Sequence, residues 1–179
     1  MNKIRQILND KIIRNVVLVS GAATVSQLIT IGVSPIISRI YSPENFGVAG
    51  LYTSILGILV IYSSFRYDKA IIISETDEES INLIGLSFVI LLLYTLFITL
   101  LFIFFGVTFF VIFDDDNALL QYKLFIPVGL LSLGAFQIVH SFAIRRKNFK
   151  GIARTHLNQS VLGNGTKISS GFLNFGTIG

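Results

Sequence analysis

The chain has no cysteine and no tryptophan, and only three prolines, two histidines and one methionine in 179 residues. Without cysteine there is no disulfide framework, no thiolate metal site and no cysteine nucleophile. Imidazole chemistry is confined to His140 and His156. Without tryptophan, any interfacial aromatic belt must be built from tyrosine. Charge is scarce as well. Charged residues are 13% of the chain, about half the share usual in soluble domains. Hydrophobic residues, at 53%, are more than a soluble domain of this length can hide.

The charges that exist are unevenly spread. Asn15–Ser38, Asn45–Phe65, Ser80–Phe113 and Leu124–Ile144 carry no Asp, Glu, Lys or Arg. A bilayer core needs roughly 20 apolar helical residues to cross it, and all four stretches reach that length. The fold class expected is an all-α integral membrane helix bundle. Residues 1–14 form a basic segment with Ile4, Ile7, Leu8 and Ile12 at helical spacing, suited to lie along a membrane surface. Residues 15–179 hold five spans, at about 16–40, 46–65, 84–105, 124–144 and 155–179. The run after Arg14 is longer than a signal-peptide core of about 7–15 residues and leads into further spans, so it reads as a signal anchor. As one helix, Ser80–Phe113 would be about 50 Å long, which predicts a single span with a helical extension on one side.

Lysine and arginine cluster at alternate span ends. Lys3, Arg5, Lys11 and Arg14 precede the first span; Arg66 and Lys69 follow the second; Arg145, Arg146, Lys147, Lys150 and Arg154 follow the fourth. The positive-inside rule places these ends, and the N-terminus, in the cytoplasm.

Enzyme signatures are missing: there is no phosphate loop, no HExxH and no GxSxG. No enzyme activity and no cofactor or metal is expected. Asp114–Asp116 reads as a solvated turn rather than a metal site. Binding candidates are the polar groups within or beside spans. Arg66 and Asp68 lie just past the second span, to pair with each other or line the mouth of a cavity, and Arg39 stands at the outer end of the first. Lys167 falls about 12 residues into the fifth segment, near the bilayer centre, where a charge is a functional candidate by default. Asn158, Gln159, Asn164 and Lys167 can share a face at helical spacing, and a cationic, amide-rich face suits a phosphorylated or glycosylated ligand. The Arg145–Lys150 run reads first as a topology anchor, then as a contact for anionic headgroups.

Four stretches carry a family resemblance. Arg39-Ile40-Tyr41-Ser42-Pro43-Glu44-Asn45-Phe46-Gly47 resembles the R-x-Y-S-P-E-D-F-G stretch of bacterial oligosaccharide flippases, with Asn45 for Asp. Arg66-Tyr67-Asp68-Lys69-Ala70-Ile71 is similar to their G-R-Y-E-x-A-I, with Phe65 for Gly and Asp68 for Glu. Asp77-Glu78-Glu79-Ser80-Ile81-Asn82-Leu83 resembles D-E-E-A-x-N-L, and Arg145-Arg146-Lys147-Asn148-Phe149-Lys150 resembles N-R-x-K-x-F-K.

The resemblance implies a two-lobe, alternating-access transporter of which this chain is the start of the N-terminal lobe. It implies translocation of undecaprenyl-diphosphate-linked repeat units to the outer leaflet of the bacterial inner membrane, for O-antigen, lipopolysaccharide or capsule. The partners implied are lipid-linked oligosaccharide, membrane lipids and other membrane proteins of polysaccharide assembly; nucleic acid is not among them. Three other readings stay open. They are a cation-coupled drug antiporter of the same superfamily, a membrane enzyme of polysaccharide assembly, and a non-transporting component of that machinery. The antiporters usually carry a buried carboxylate in an early helix, and Val16–Ser38 has none.

Overall fold

The computed structural model describes residues 11–113 and 124–172. The basic segment before Lys11, the Asp114–Asp116 turn and the end of the fifth segment after Phe172 lie outside the described residues. The described residues form six α-helices and no strand: α1 Lys11–Ile40, α2 Pro43–Ile61, α3 Tyr67–Ile73, α4 Asp77–Phe113, α5 Phe125–Arg145 and α6 Phe149–Phe172. Four helical segments are long and apolar enough to cross a bilayer, Ile13–Ile40, Pro43–Ile61, Asp77–Gly106 and Phe125–Arg145. Helices are the solution here because lipid offers no partner for an open backbone group. The protein is an all-α polytopic membrane protein.

Helix boundaries follow local chemistry. Ser42 precedes Pro43 at the first position of α2, where a missing N–H costs nothing, and Phe46 N–H closes the first turn on the Ser42 carbonyl at 3.2 Å. A capping box starts α4: Glu79 N–H donates to Thr76 Oγ1 at 3.1 Å, while Glu79 Oε2 accepts from Glu75 N–H at 2.9 Å. Asn148 caps α6, its Oδ1 accepting from Gly151 N–H at 3.1 Å. The α4 helix runs unbroken through Ser80–Phe113 and extends past the expected 84–105 span at both ends.

The helices fall into two compact units, one of residues 47–145 and one of residues 1–46 with 146–179. In the 47–145 unit, two apolar clusters stack along α4 and α5. Leu56 of α2 packs with Ile98, Phe102, Ile126 and Leu130, and Ile71 of α3 packs with Leu91 and Ile138. Glycines on α5 permit the close approach. A Cβ on Gly129 would lie 2.6 Å from Tyr52 Oη, and one on Gly134 would collide with Leu91 Cδ1. Arg145 ties the end of α5 to the α3–α4 link. Its Nε donates to Ser74 Oγ at 2.7 Å and its Nη1 to Asp77 Oδ1 at 2.5 Å. Beyond its expected place in the basic run, Arg145 closes a helix contact.

The other unit is the pair α1 and α6. Hydroxyls of α1 fold back on their own helix, as Ser20 to the Val16 carbonyl at 2.7 Å and Ser26 to the Ala22 carbonyl at 2.8 Å. Its seam with α6 is polar: Ser160 Oγ donates to the Ser26 carbonyl at 2.9 Å, and Asn164 Nδ2 to Thr30 Oγ1 at 3.2 Å. Tyr41 Oη donates to the Lys167 carbonyl at 2.7 Å. Interhelical bonds of this kind contribute about 0.6–2 kcal/mol each in a membrane.

Candidate functional site

The second span is broken. After Ile61 the chain leaves the helix through Tyr62–Arg66 and resumes as α3 at Tyr67. Phe65 and Arg66 both take left-handed backbone conformations, with φ of 46° and 68°, which non-glycine residues seldom adopt. Two consecutive residues of that kind cannot continue a right-handed helix. Phe65 turns out to meet Tyr94 of α4 edge-on, with ring centroids 6.3 Å apart.

The break lies partway down the bundle. Ser63 Oγ sits 3.2 Å from the position of a Cβ on Gly134, and Gly134 is near the middle of α5 (Phe125–Arg145). Ile71 then packs against Ile138, and Ser74 meets Arg145. The α3 helix therefore runs beside the second half of α5. Arg66, Asp68 and Lys69, expected beyond the end of the span, lie alongside α5 because the break restarts the helix.

Asp68 is the polar centre of this region. It is 2% exposed. Ser64 Oγ donates to its Oδ1 at 2.9 Å. Lys69 Nζ stands 3.2 Å from Oδ2, a charge contact without hydrogen-bond alignment, so that Oδ2 accepts no hydrogen bond among the described residues. The sequence suggested Arg66 as partner for Asp68. The left-handed backbone at Arg66 instead leaves its side chain exposed, and Lys69 makes the ion pair. Other hydroxyls are buried in the same unit. Ser63, Ser80 and Ser87 are buried with Oγ unbonded among the described residues, and Ser141 of α5 is buried as well. Buried hydroxyls without partners are uncommon, and three occur in the unit that holds the buried carboxylate.

The remaining candidates disperse. Arg39 is exposed near the end of α1. Lys167 is exposed too, and its carbonyl is level with Tyr41, just past the far end of α1. It was expected near the bilayer centre. The α6 helix begins at Phe149 rather than near 155, so Lys167 lies about 27 Å along it at 1.5 Å per residue. Asn164 is buried against α1, whereas Asn158 and Gln159 are exposed. At about 100° per residue, Asn158 falls on the side of α6 away from the Ser160–Asn164 seam. The four residues do not share a face. The buried serines were missed by sequence reasoning. Ser80 and Ser87, seven positions apart on the face that carries Leu91, Ile98 and Phe102, were the available signal.

Among the described residues no three His, Asp or Glu side chains converge to hold a metal ion. Described links between helices are short, such as Tyr41–Ser42 and Ser74–Thr76. Spanning helices with short described links, and a charged, irregular segment packed beside α5, define an integral membrane protein. The comparison with protein families is specific: residues 12–161 match the family described as polysaccharide biosynthesis protein. The chain belongs to that family. No curated protein matches it, and no solved structure does.

Proposed function

We propose that this protein serves polysaccharide biosynthesis as a transporter. It carries lipid-linked oligosaccharide repeat units from the cytoplasmic to the outer leaflet of a bacterial inner membrane. The observation that carries the reading is the break in the second span, with Arg66, Asp68 and Lys69 beside α5. Irregular backbone at membrane depth is tolerated where it is covered by protein or lines a polar cavity. Transporters place substrate and ion sites at such discontinuous helices. Holding a carboxylate within a span costs about 2.5–3.5 kcal/mol, a cost that a purely structural helix would avoid. Membership in a polysaccharide biosynthesis family supports a polysaccharide precursor as the substrate. The short described links favour transport over an enzyme, which would need groups gathered at one membrane face. In the native membrane, Arg66→Gln with Asp68→Asn is expected to make lipid-linked repeat units accumulate on the cytoplasmic side, at unchanged protein level. Unchanged polysaccharide export by the double variant refutes the site.

One observation favours a second reading. The buried carboxylate that a cation-coupled drug antiporter needs is absent from α1, but Asp68 supplies one on the next span. Cation-dependent efflux of a lipophilic drug, abolished by Asp68→Asn while polysaccharide export continues, would establish that reading instead.

A further inference from the structure

The α6 helix is not among the four helices apolar enough to cross a bilayer, but its partner α1 is. The seam between them fixes how deep each α6 residue lies. Ser160 Oγ donates to the Ser26 carbonyl and Asn164 Nδ2 to Thr30 Oγ1, and both bonds join residues 134 positions apart. The two helices therefore run in the same direction in one register, which sets Arg154 level with Ser20. Ser20 lies within the charge-free stretch Asn15–Ser38, about 9 Å past Arg14 at 1.5 Å per residue. Arg154 is thus a cation carried beyond the last charge at the start of α1. It is exposed and makes no ion pair among the described residues. A charge within a span is costly unless it meets a counter-charge or reaches back to the interface. Helical side chains lean toward the N-terminus of their helix, which directs Arg154 toward Lys150, one turn before it. Lys150 is exposed and unpaired among the described residues as well.

These two cations form the mouth of a hollow of about 540 Å³ between α1 and α6. The rest of its lining is apolar, with Leu18, Gly21, Ala22 and Val25 from α1 and Ala153 and Leu157 from α6. Leu18–Val25 makes a stripe about 10 Å long at 1.5 Å per residue. Its floor is low at Gly21, where a Cβ would meet nothing within 4 Å. On its other side Lys150 borders a basic cleft of about 680 Å³ that Arg14 and Lys147 also line, and no acidic residue lines either hollow.

We propose that the hollow between α1 and α6 is a site for a resident anionic glycerophospholipid. Its phosphodiester sits between Lys150 and Arg154, and one acyl chain lies along Leu18–Val25. Charge complementarity selects the occupant. Two cations without a counter-charge match a phosphodiester whose headgroup adds no cation of its own, as in phosphatidylglycerol. A zwitterionic headgroup brings a third positive charge to the mouth. The lipid supplies the counter-charge that Arg154 lacks and bridges the two helices, so it is a structural ligand of this pair. The inference stands apart from the transport reading and uses none of Arg66, Asp68 or Lys69.

The test is native mass spectrometry of the whole protein released from nanodiscs of equal phosphatidylglycerol and phosphatidylcholine, read beside thermal unfolding in detergent with either lipid added. Phosphatidylglycerol is expected to be retained over phosphatidylcholine by about tenfold or more, given the contribution of each basic group near a membrane surface. Lys150→Gln with Arg154→Gln should abolish that preference. Lys150→Arg with Arg154→Lys keeps both charges and should keep it, which separates lost charge from misfolding. Gly21→Leu fills the groove. It should lose the retained lipid and the lipid-dependent rise in unfolding temperature, while unfolding in lipid-free detergent stays that of the parent. Equal retention of the two lipids overturns the proposal, and so does a preference that survives loss of both cations. Lipid held by Gly21→Leu as by the parent refutes the placement of the chain. Should Arg154 pair with a carboxylate beyond the described residues, Arg154→Gln will destabilise the protein equally with and without phosphatidylglycerol, and the site is refuted.

Discussion

Asp68 is held by unequal partners. The bond from buried Ser64 is short and shielded, and a hydrogen bond to a charged group contributes about 1.5–3 kcal/mol. Lys69 is more than half exposed, so its ion pair adds little. Asp68→Asn preserves an acceptor for Ser64 and removes the charge. Asp68→Ala leaves the Ser64 hydroxyl buried with Ser63 and Ser87 already unbonded. We expect Asp68→Asn to unfold within a few degrees of the parent in detergent, and Asp68→Ala to be destabilised by about 1–2 kcal/mol. Thermal unfolding of the two purified variants checks this; equal destabilisation would mean that the charge, not the hydrogen bond, anchors α3. A run such as Arg66-Tyr67-Asp68-Lys69 after an apolar stretch looks like a span end. Only the left-handed pair Phe65–Arg66 reveals that the helix restarts, and neither residue type signals that conformation.

At the scale of elements, the close packing of α5 is set by what its glycines lack. Gly134 faces Leu91 and Ser63, while Gly21 on α1 faces open space. The same substitution should therefore have different outcomes. Gly134→Leu is expected to cost about 1–3 kcal/mol by overpacking and to loosen α3 and α4 from α5. Gly21→Leu should leave unfolding unchanged. Melting curves of both variants decide; a harmless Gly134→Leu would mean that α4 and α5 do not approach as described. Nothing in the local sequence distinguishes these glycines, since each sits in an apolar helical run. Helix ends were more legible. Ser42-Pro43-Glu44 is a helix-start pattern in the sequence itself, and α2 begins there, whereas Thr76–Glu79 works as a box only through the bonds it makes. Lys167 illustrates the opposite case. A start near 155 placed it mid-membrane, but the Asn148 cap begins α6 earlier and carries Lys167 level with Tyr41.

For the whole molecule, the proposed orientation follows from charge. These 179 residues hold no cysteine, so within them an introduced thiol is unique and reports the orientation directly. Ser42→Cys, between α1 and α2, should react with a membrane-impermeant maleimide from outside intact cells. Glu75→Cys, between α3 and α4, should react only after permeabilisation. The reverse pattern would invert the orientation, and labelling of both from one side would mean that α2 and α3 do not together cross the membrane.

Length and apolarity by themselves determined that this is an all-α membrane protein, because a charge-free run of helix has one stable place to be. The same pattern located four spans, and four short stretches pointed to a polysaccharide family. Tertiary structure decided which polar groups meet. Asp68 is buried, Asn164 bonds Thr30, Arg145 bridges Ser74 and Asp77, and a basic cleft opens onto an apolar groove at Lys150. The physical reason is that hydropathy is summed over a segment, whereas a site depends on backbone breaks, caps and close approaches, each set by one or two residues and by the helix packed against them.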